Sequence, residues 1–185
     1  MAHLLGIDIG TTGLRAALFE RSGACVVEAT ASCPHDAPRV GWAEAAPEAW
    51  WRTLRTLLRQ IGERAPLGDV ACVGVVGQAP TAVLVDERGA AVRPAILWLD
   101  TRADAEAREL DTDAYYLGPK LLWLARHDAE SLRRARWVLQ SHAFVAMRLT
   151  GEVAIDPSTA ALCPPLFDLG ARRWIEGACA RVGVR

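Results

Sequence analysis

The stretch from Gly6 to Glu20, GIDIGTTGLRAALFE, leaves the chain few choices of local structure. Two apolar runs are separated by only four residues, Gly10-Thr-Thr-Gly13, and the first run carries an acid, Asp8, near its end. Four residues cannot hold a crossover helix, so the runs are expected to be neighbouring antiparallel strands joined by a tight turn. The usual glycine-rich nucleotide loops do not fit. A Walker loop needs Lys-Ser or Lys-Thr after its last glycine, and here Leu14-Arg15 follows Gly13. The dinucleotide fingerprint turns from a strand into a helix, whereas Leu14 to Phe19 has no helix-start signal and reads as a second strand.

The tip of such a hairpin presents backbone N–H groups, which can cradle phosphate oxygens. An acid at its base can hold Mg²⁺ through water, because Mg²⁺ is commonly bound by one or two carboxylates together with phosphate and water. These parts suit the tail of a nucleoside triphosphate. On spacing alone they equally suit a plain hairpin whose turn happens to be Gly-Thr-Thr-Gly.

With 185 residues, 51% of them hydrophobic, the chain suits one domain, or one domain and part of another, with a substantial core. A formal net charge of −1, with charges spread along the chain, gives no electrostatic footprint for nucleic acid or an anionic membrane. No apolar run reaches the roughly 18 residues of a membrane helix, and no signal peptide is recognisable, so a cytoplasmic location is expected. Five scattered cysteines without C-x-x-C spacing predict free thiols rather than disulfides or zinc. Lys120 is the lone lysine among 21 basic residues, a bias that follows genome composition rather than function.

Leu4 to Ile9, Leu14 to Phe19 and Cys25 to Ala31 are expected as an antiparallel meander, followed by a loop from Pro34 to Pro47. Pro47 suits the first turn of a helix. Trp50, Leu54, Leu57, Leu58 and Ile61 fall on one helical face. Val70 to Val76 is nearly all apolar, which predicts a parallel strand buried on both faces and makes the class α/β. A hairpin is expected around Asp86-Glu-Arg-Gly89, with Ala95 to Leu99 extended beyond it. Helices follow: one capped by Thr101 and running to Leu110, one from Gly118-Pro119 through His127, and one from Ser141 to Leu149 ended by Gly151. Ala171, Trp174, Ile175, Ala178 and Val182 mark a last amphipathic helix. Asp156-Pro-Ser158 reads as a turn capping the segment before it. His3, His35, His127 and His142 are expected in loops or on helix surfaces.

Further blocks stand in order along the chain: GWAEAAPEAWW (Gly41 to Trp51), GVVGQAPTAVLVD (Gly74 to Asp86), RPAILWLDTRA (Arg93 to Ala103), GPKLLWL (Gly118 to Leu124) and RLTGEVAIDPSTA (Arg148 to Ala160). The opening hairpin resembles the first phosphate loop of the actin, Hsp70 and hexokinase superfamily. Together with it, the five blocks resemble the FGGY carbohydrate kinases, nearest to xylulokinases. The resemblance implies a ribonuclease H-like, actin-like ATPase fold, a mixed sheet flanked by helices. It makes residues 1–185 the N-terminal half of a two-domain sugar kinase, incomplete at its C-terminal end.

By that resemblance the whole enzyme moves the γ-phosphoryl of ATP to a hydroxyl of a sugar or polyol, chemistry that depends mainly on positioning and charge neutralisation. Asp8 would organise Mg²⁺, Gly10, Thr11, Thr12 and Gly13 would hold phosphate oxygens, and Arg15 would add a cation or be simply solvated. Gln78, Trp98, Asp100 and Arg102 would line the sugar pocket, with Trp98 stacking on an apolar sugar face. The bland reading makes Trp98 core and Asp100–Arg102 a surface pair. Partners are then a sugar or polyol and a possible second copy of the chain, not nucleic acid or membrane. The chain departs from the family in three ways. Ala79-Pro80 follows the glutamine where xylulokinases have Met-His and glycerol kinases Arg-Glu. The stretch before Gly118 is short, leaving Tyr115 and Tyr116. The Gly-Gly-x-Asp segment that supplies the catalytic base, and the adenosine-holding domain, are not in these residues, so no catalytic residue is assigned. A non-catalytic binding module is the competing reading. Lys120 either marks a need for an ammonium or is a chance survivor of the arginine bias.

Overall fold

The structure, a computed structural model, describes residues 2–184. The meander forms as expected: β1 (His3–Ile9), β2 (Gly13–Phe19) and β3 (Cys25–Ser32) are antiparallel neighbours. The turn between β1 and β2 is closed by Gly10 N–H donating to Gly13 O (2.9 Å). A side chain on Gly13 would lie 2.7 Å from Ala31 O, so β3 can pass close behind the turn only because that residue is glycine. The following loop holds β4 (Glu44–Ala45) and delivers Pro47 to the start of α1 (Pro47–Gly62).

Helix α1 buries Trp50, Leu54, Leu57 and Ile61 against β2 and β3. Each of these side chains contributes about 1.5–3 kcal/mol relative to exposure. The chain then returns through a short 3-10 turn into β5 (Val70–Gly77), which runs parallel to β1. The sheet order is β3-β2-β1-β5, a mixed sheet. Leu5, Ile7 and Ile9 of β1 point into the core shared with α1.

β5 is parallel as predicted, but it is not buried on both faces. Ala71, Cys72, Val73, Gly74 and Val76 are exposed, Val76 at 62%. The reason is position: among the described residues β5 is an edge strand, paired on one side only, and none of them forms a layer over the sheet face that carries Leu4, Asp8 and Val76. An apolar run reports β propensity and hydrophobicity but not what lies next to it.

The second half of the chain builds a smaller layer. β6 (Val83–Val85) enters the Asp86–Gly89 hairpin turn, β7 (Ala95–Ile96) pairs with β4, and α2 (Asp104–Glu109), α3 (Leu117–His127) and α4 (Ala129–Arg134) follow. β8 (Trp137–Leu139) pairs with β6, and α5 (Ser141–Thr150) ends on Gly151 in the left-handed conformation. Val83 and Val85 join the core under the main sheet, while Leu84 faces a second core with Leu121, Leu124 and Cys163. Helix α5 packs on β5 and is tied to α1 by Arg148, which donates to Glu48 at 2.7 and 3.0 Å.

Several local expectations are corrected. Thr101 does not cap α2: its hydroxyl donates to Gly41 O (3.2 Å), and Ala103 stands at the cap position. Asp156 caps the segment after it, α6 (Pro157–Ala160), accepting from Thr159 N–H (2.9 Å). The last helix is shorter than its pattern. Trp174 lies in a small hairpin of β9 (Phe167–Asp168) and β10 (Arg173–Trp174), turned by Asp168, and only α7 (Glu176–Arg181) is helical. His3 belongs to β1, and His142 sits in the first turn of α5 with its side chain only 16% exposed. All five cysteines are free, and burial pushes the Cys163 thiol up to about 12. No helix of the described residues is long and apolar enough to cross a membrane.

The free edge of β5 is a ready template for another chain. Light scattering of the 185-residue chain is expected to show concentration-dependent association that Val73→Lys reduces toward the monomer value. A wild-type chain that stays monomeric at high concentration would show that the edge is no association surface.

Candidate functional site

The β1–β2 turn, the end of β5 and the segment after β7 meet at one end of the sheet. Trp98 Nε1 donates to Thr11 Oγ1 (3.0 Å), and Gln78 Nε2 donates to Gly10 O (3.3 Å). The backbone N–H groups of Thr11 and Thr12 have no hydrogen-bond partner among the described residues. The side chain of Asp8, on the open face of β1, is exposed and makes no hydrogen bond or ion pair among them, while its backbone pairs with β2 and β5. A turn with unspent donors beside an unspent carboxylate fits a phosphate-bound Mg²⁺, which needs only one or two protein carboxylates. The described residues hold no cluster of three or more His, Cys, Asp or Glu that could bind a metal by protein ligands alone. Arg15 lies across the strand from Asp8 and pairs with Glu28 at 3.0 Å.

Gln78 is fixed from behind. Ser141 Oγ, at the start of α5, donates to Gln78 O (2.6 Å), and Gln140 Oε1 accepts from Thr81 N–H (2.6 Å). The side-chain Oε1 of Gln78 is a buried acceptor without a protein partner. Nearby, burial lowers the pKa of His142, although Asp156 lies 3.8 Å away. The Ser158 and Thr159 hydroxyls hold the Asp156 carboxyl well below the usual carboxylate range.

Both halves of the bland reading fail for the Trp-x-Asp-x-Arg segment. Trp98 is not core but 38% exposed, and Asp100 and Arg102 are not a surface pair. Their side chains have 0% exposure and are joined at two points, Arg102 Nε to Asp100 Oδ1 (2.9 Å) and the second guanidinium nitrogen to Oδ2 (2.8 Å). Asp100 also accepts from Ala43 N–H (2.5 Å), and the Arg102 guanidinium lies 3.6 Å from the centre of the Trp42 ring. Glu44 completes the set, 2.8 Å from Arg102 and 2.6 Å from Arg93, which reaches on to Asp128. The Gly-Trp-x-Glu block is therefore the socket for the Trp-x-Asp-x-Arg block. In this conformation the side chains of Asp100 and Arg102 present no polar surface to a ligand; they form the frame beneath Trp98.

Two residues outside the assigned set border the same place. Tyr115 donates its hydroxyl to Ala79 O (3.1 Å), and its ring stands edge-on to Trp98 with centres 6.1 Å apart. Lys120 is completely buried, and Nζ donates to Ala114 O and Tyr115 O, both at 2.6 Å, and to Tyr116 O at 3.4 Å. Burial lowers its pKa from the ordinary 10.5 to about 8, against the opposing pull of Asp100 and Asp113. The sequence signals were the shortened stretch holding both tyrosines and the single lysine.

Removing one member of a buried ion pair leaves the other charged and unpaired. Asp100→Ala is expected to lower the free energy of urea unfolding by about 3–5 kcal/mol. Lys120 gives a pH signature. Between about 8 and 10.5 the unfolded chain still holds a proton that the fold has begun to release. This group's contribution to stability therefore rises with pH across that window, and its burial cost is fully present below it. The unfolding free energy of wild type minus that of Lys120→Met should rise from pH 8 to 10.5, whereas a flat difference would mean that Nζ is not desolvated.

Comparison with known proteins agrees with this architecture. Residues 3–116, more than half of the chain, match the FGGY family of carbohydrate kinases, N-terminal domain. The chain is 33% identical to the xylulose kinase of Escherichia coli K12, across 93% of this chain and 38% of that protein. It is also 33% identical to the glycerol kinase of Paracidovorax citrulli, across 97% of this chain and 40% of the relative. The crystal structure of xylulose kinase from Rhodospirillum rubrum superposes with a TM-score of 0.89 at 29% identity, covering 98% of this chain and 41% of that one. The chain thus spans about two fifths of the length of these relatives, and its mixed sheet flanked by helices is the fold of the matching part. It belongs to the FGGY family of carbohydrate kinases.

Proposed function

We propose that residues 1–185 are the N-terminal domain of an ATP-dependent kinase that phosphorylates a sugar or polyol such as xylulose. The observation that carries this reading is the pair of hydrogen bonds from Trp98 and Gln78 to Thr11 and Gly10. They bring a turn with unspent N–H groups and an exposed indole to one rim, so a phosphate donor and a hydroxylated acceptor can meet there. In this assignment Gly10, Thr11, Thr12 and Gly13 hold phosphate oxygens, with Arg15 adding positive charge at the rim. Asp8 would hold Mg²⁺, which would supply charge neutralisation at the transferring phosphoryl group. Gln78 and Trp98 face the acceptor, and Asp100 and Arg102 keep Trp98 in place from below. The named relatives, xylulose and glycerol kinases, support a short polyhydroxylated carbon chain as the acceptor class. Ala79-Pro80 offers that acceptor no side-chain hydrogen bond, and each missing neutral bond weakens binding by about 0.5–1.5 kcal/mol.

No carboxylate among the assigned residues is free to act as a base at the acceptor, since Asp100 is closed off and Asp8 is assigned to the metal. In this assignment the base and an adenosine-binding wall are supplied from outside these 185 residues. The isolated chain with ATP, Mg²⁺ and a panel of ketoses and polyols is expected to release no acceptor-dependent ADP. Saturation-transfer NMR should nonetheless detect a ketose or polyol on the chain, and Trp98→Ala should abolish the signal. Acceptor-dependent ADP release that survives repurification and is lost in Asp8→Ala would overturn the need for an external base. Absence of saturation transfer from every compound in the panel would favour a non-catalytic module.

A further inference from the structure

A buried ammonium ordinarily sits opposite a carboxylate, and Lys120 does not: its hydrogen bonds go to three consecutive backbone carbonyls, Ala114, Tyr115 and Tyr116. Turning three successive carbonyls toward one point requires a tight loop, and their mutual repulsion opposes it unless a cation sits at the centre. The loop is otherwise thinly supported. Asp113 turns it through Tyr115 N–H donating to Oδ1 (2.7 Å) and Tyr116 N–H donating to Asp113 O (3.0 Å), and Leu117 N–H reaches Leu162 O (3.2 Å). From this loop the Tyr115 side chain crosses to the Ala79-Pro80 turn and stands against Trp98. Nζ itself is closed to solvent, so it touches no ligand and can act only through the loop it holds.

We propose that Lys120 is a positioning residue for the acceptor cleft: by gathering the carbonyls of Ala114, Tyr115 and Tyr116 it sets the Tyr115 ring against Trp98 and the Tyr115 hydroxyl on Ala79, and so fixes the opening through which the acceptor enters. This rests on the reading that Gln78, Ala79-Pro80 and Trp98 border the acceptor. Ala79 and Pro80 supply no polar side chain; Ser141 and Gln140 hold the flanking Gln78 and Thr81, and Tyr115 is the polar side chain bonded to Ala79 itself. A loop released from Lys120 would free the Tyr115 phenol from Ala79 and widen the cleft beside Trp98. Selectivity among short polyols, rather than phosphate handling, would change.

The chain has one lysine and two tyrosines, so isotope labelling gives one Nζ signal and two tyrosine ring signals. In the wild-type chain at neutral pH the Nζ protons should exchange slowly enough to be observed. Exchange as fast as that of free lysine would overturn the proposal without any mutation. Lys120→Met should shift the Tyr115 ring signal, assigned with Tyr115→Phe, toward its position in unfolded chain, while far-UV circular dichroism is unchanged. A ring signal that stays in place in folded Lys120→Met would mean that the lysine only stabilises the helix. D-xylulose and glycerol titrated into the wild type test the underlying reading separately. If neither moves the Tyr115 signal, the acceptor assignment fails, while the hold of Lys120 on the loop is decided by the sugar-free spectra alone. If they do move it, Lys120→Met should lose the difference between the two compounds.

Discussion

The Asp100–Arg102 pair is the constraint on which the end of the sheet depends. Neither side chain meets solvent, and two charges removed from water are costly unless their surroundings compensate them. The protein supplies that compensation from distant parts of the chain: Ala43 N–H on Asp100, the Trp42 ring and the Glu44 charge on Arg102, whose Nη1 lies 2.8 Å from Glu44 without hydrogen-bond geometry, and Arg93 and Asp128 beyond Glu44. A planar guanidinium suits this place because it can stack on Trp42 and fork onto Asp100 at once, which an ammonium cannot. Such a pair adds little stability over a well-packed apolar set, but it admits one arrangement. β4, β7 and the middle of α3, through Trp123 at 5.0 Å from the guanidinium, are brought to a single geometry, and Trp98 stands two residues before Asp100.

That geometry matters because the other rim is rigid for a different reason. The β1–β2 turn is held by strand pairing on both sides and by the close passage of β3 behind Gly13. The Trp98–Thr11 hydrogen bond joins the two rims directly. Phosphoryl transfer relies on alignment of the attacking and leaving oxygens more than on reactive side chains. A fold that spends its buried charges on holding one rim and its backbone ladder on holding the other would suit the proposed transfer.

What the sequence makes legible divides along the same line. Elements set by local pattern are readable: the three-strand meander, α1 with its Trp50–Ile61 face, the Gly151 helix end, and the hairpin turn at Asp86, whose carboxylate accepts from Arg88 and Ala90 N–H. The parallel pairing of β5 is readable from its composition, but its exposure is not, since that depends on which strand ends the sheet. Helix α4 and strand β8 escape notice because six and three residues carry too little periodicity to stand out from arginine-rich loop sequence. Trp174 misleads for the opposite reason: its helical spacing with Ala178 is real, yet the Asp168 turn diverts the chain into a hairpin first. At the site, the blocks containing Trp42, Glu44, Trp98, Asp100 and Arg102 stand out singly, but that one is the socket of another is a tertiary fact.

The lone lysine follows from the same physics as the buried arginine. A guanidinium presents five donors in a fixed plane, and three carbonyls from consecutive residues of a tight loop do not lie in one. An ammonium presents three donors around a single point, which matches a convergent set of carbonyls, and its four-carbon stem can lie along the buried side of α3. Arg102 and Lys120 lie close enough that each raises the electrostatic cost of the other, with Asp100 offsetting both. An arginine at position 120 would bring five donors to a fully buried place where the three carbonyls are the available acceptors. The two cations are thus not exchangeable. One forks onto a carboxylate and stacks on a ring to fix Trp98, the other closes a loop of carbonyls to fix Tyr115, and the ring-to-ring contact between those aromatics is where the two arrangements meet.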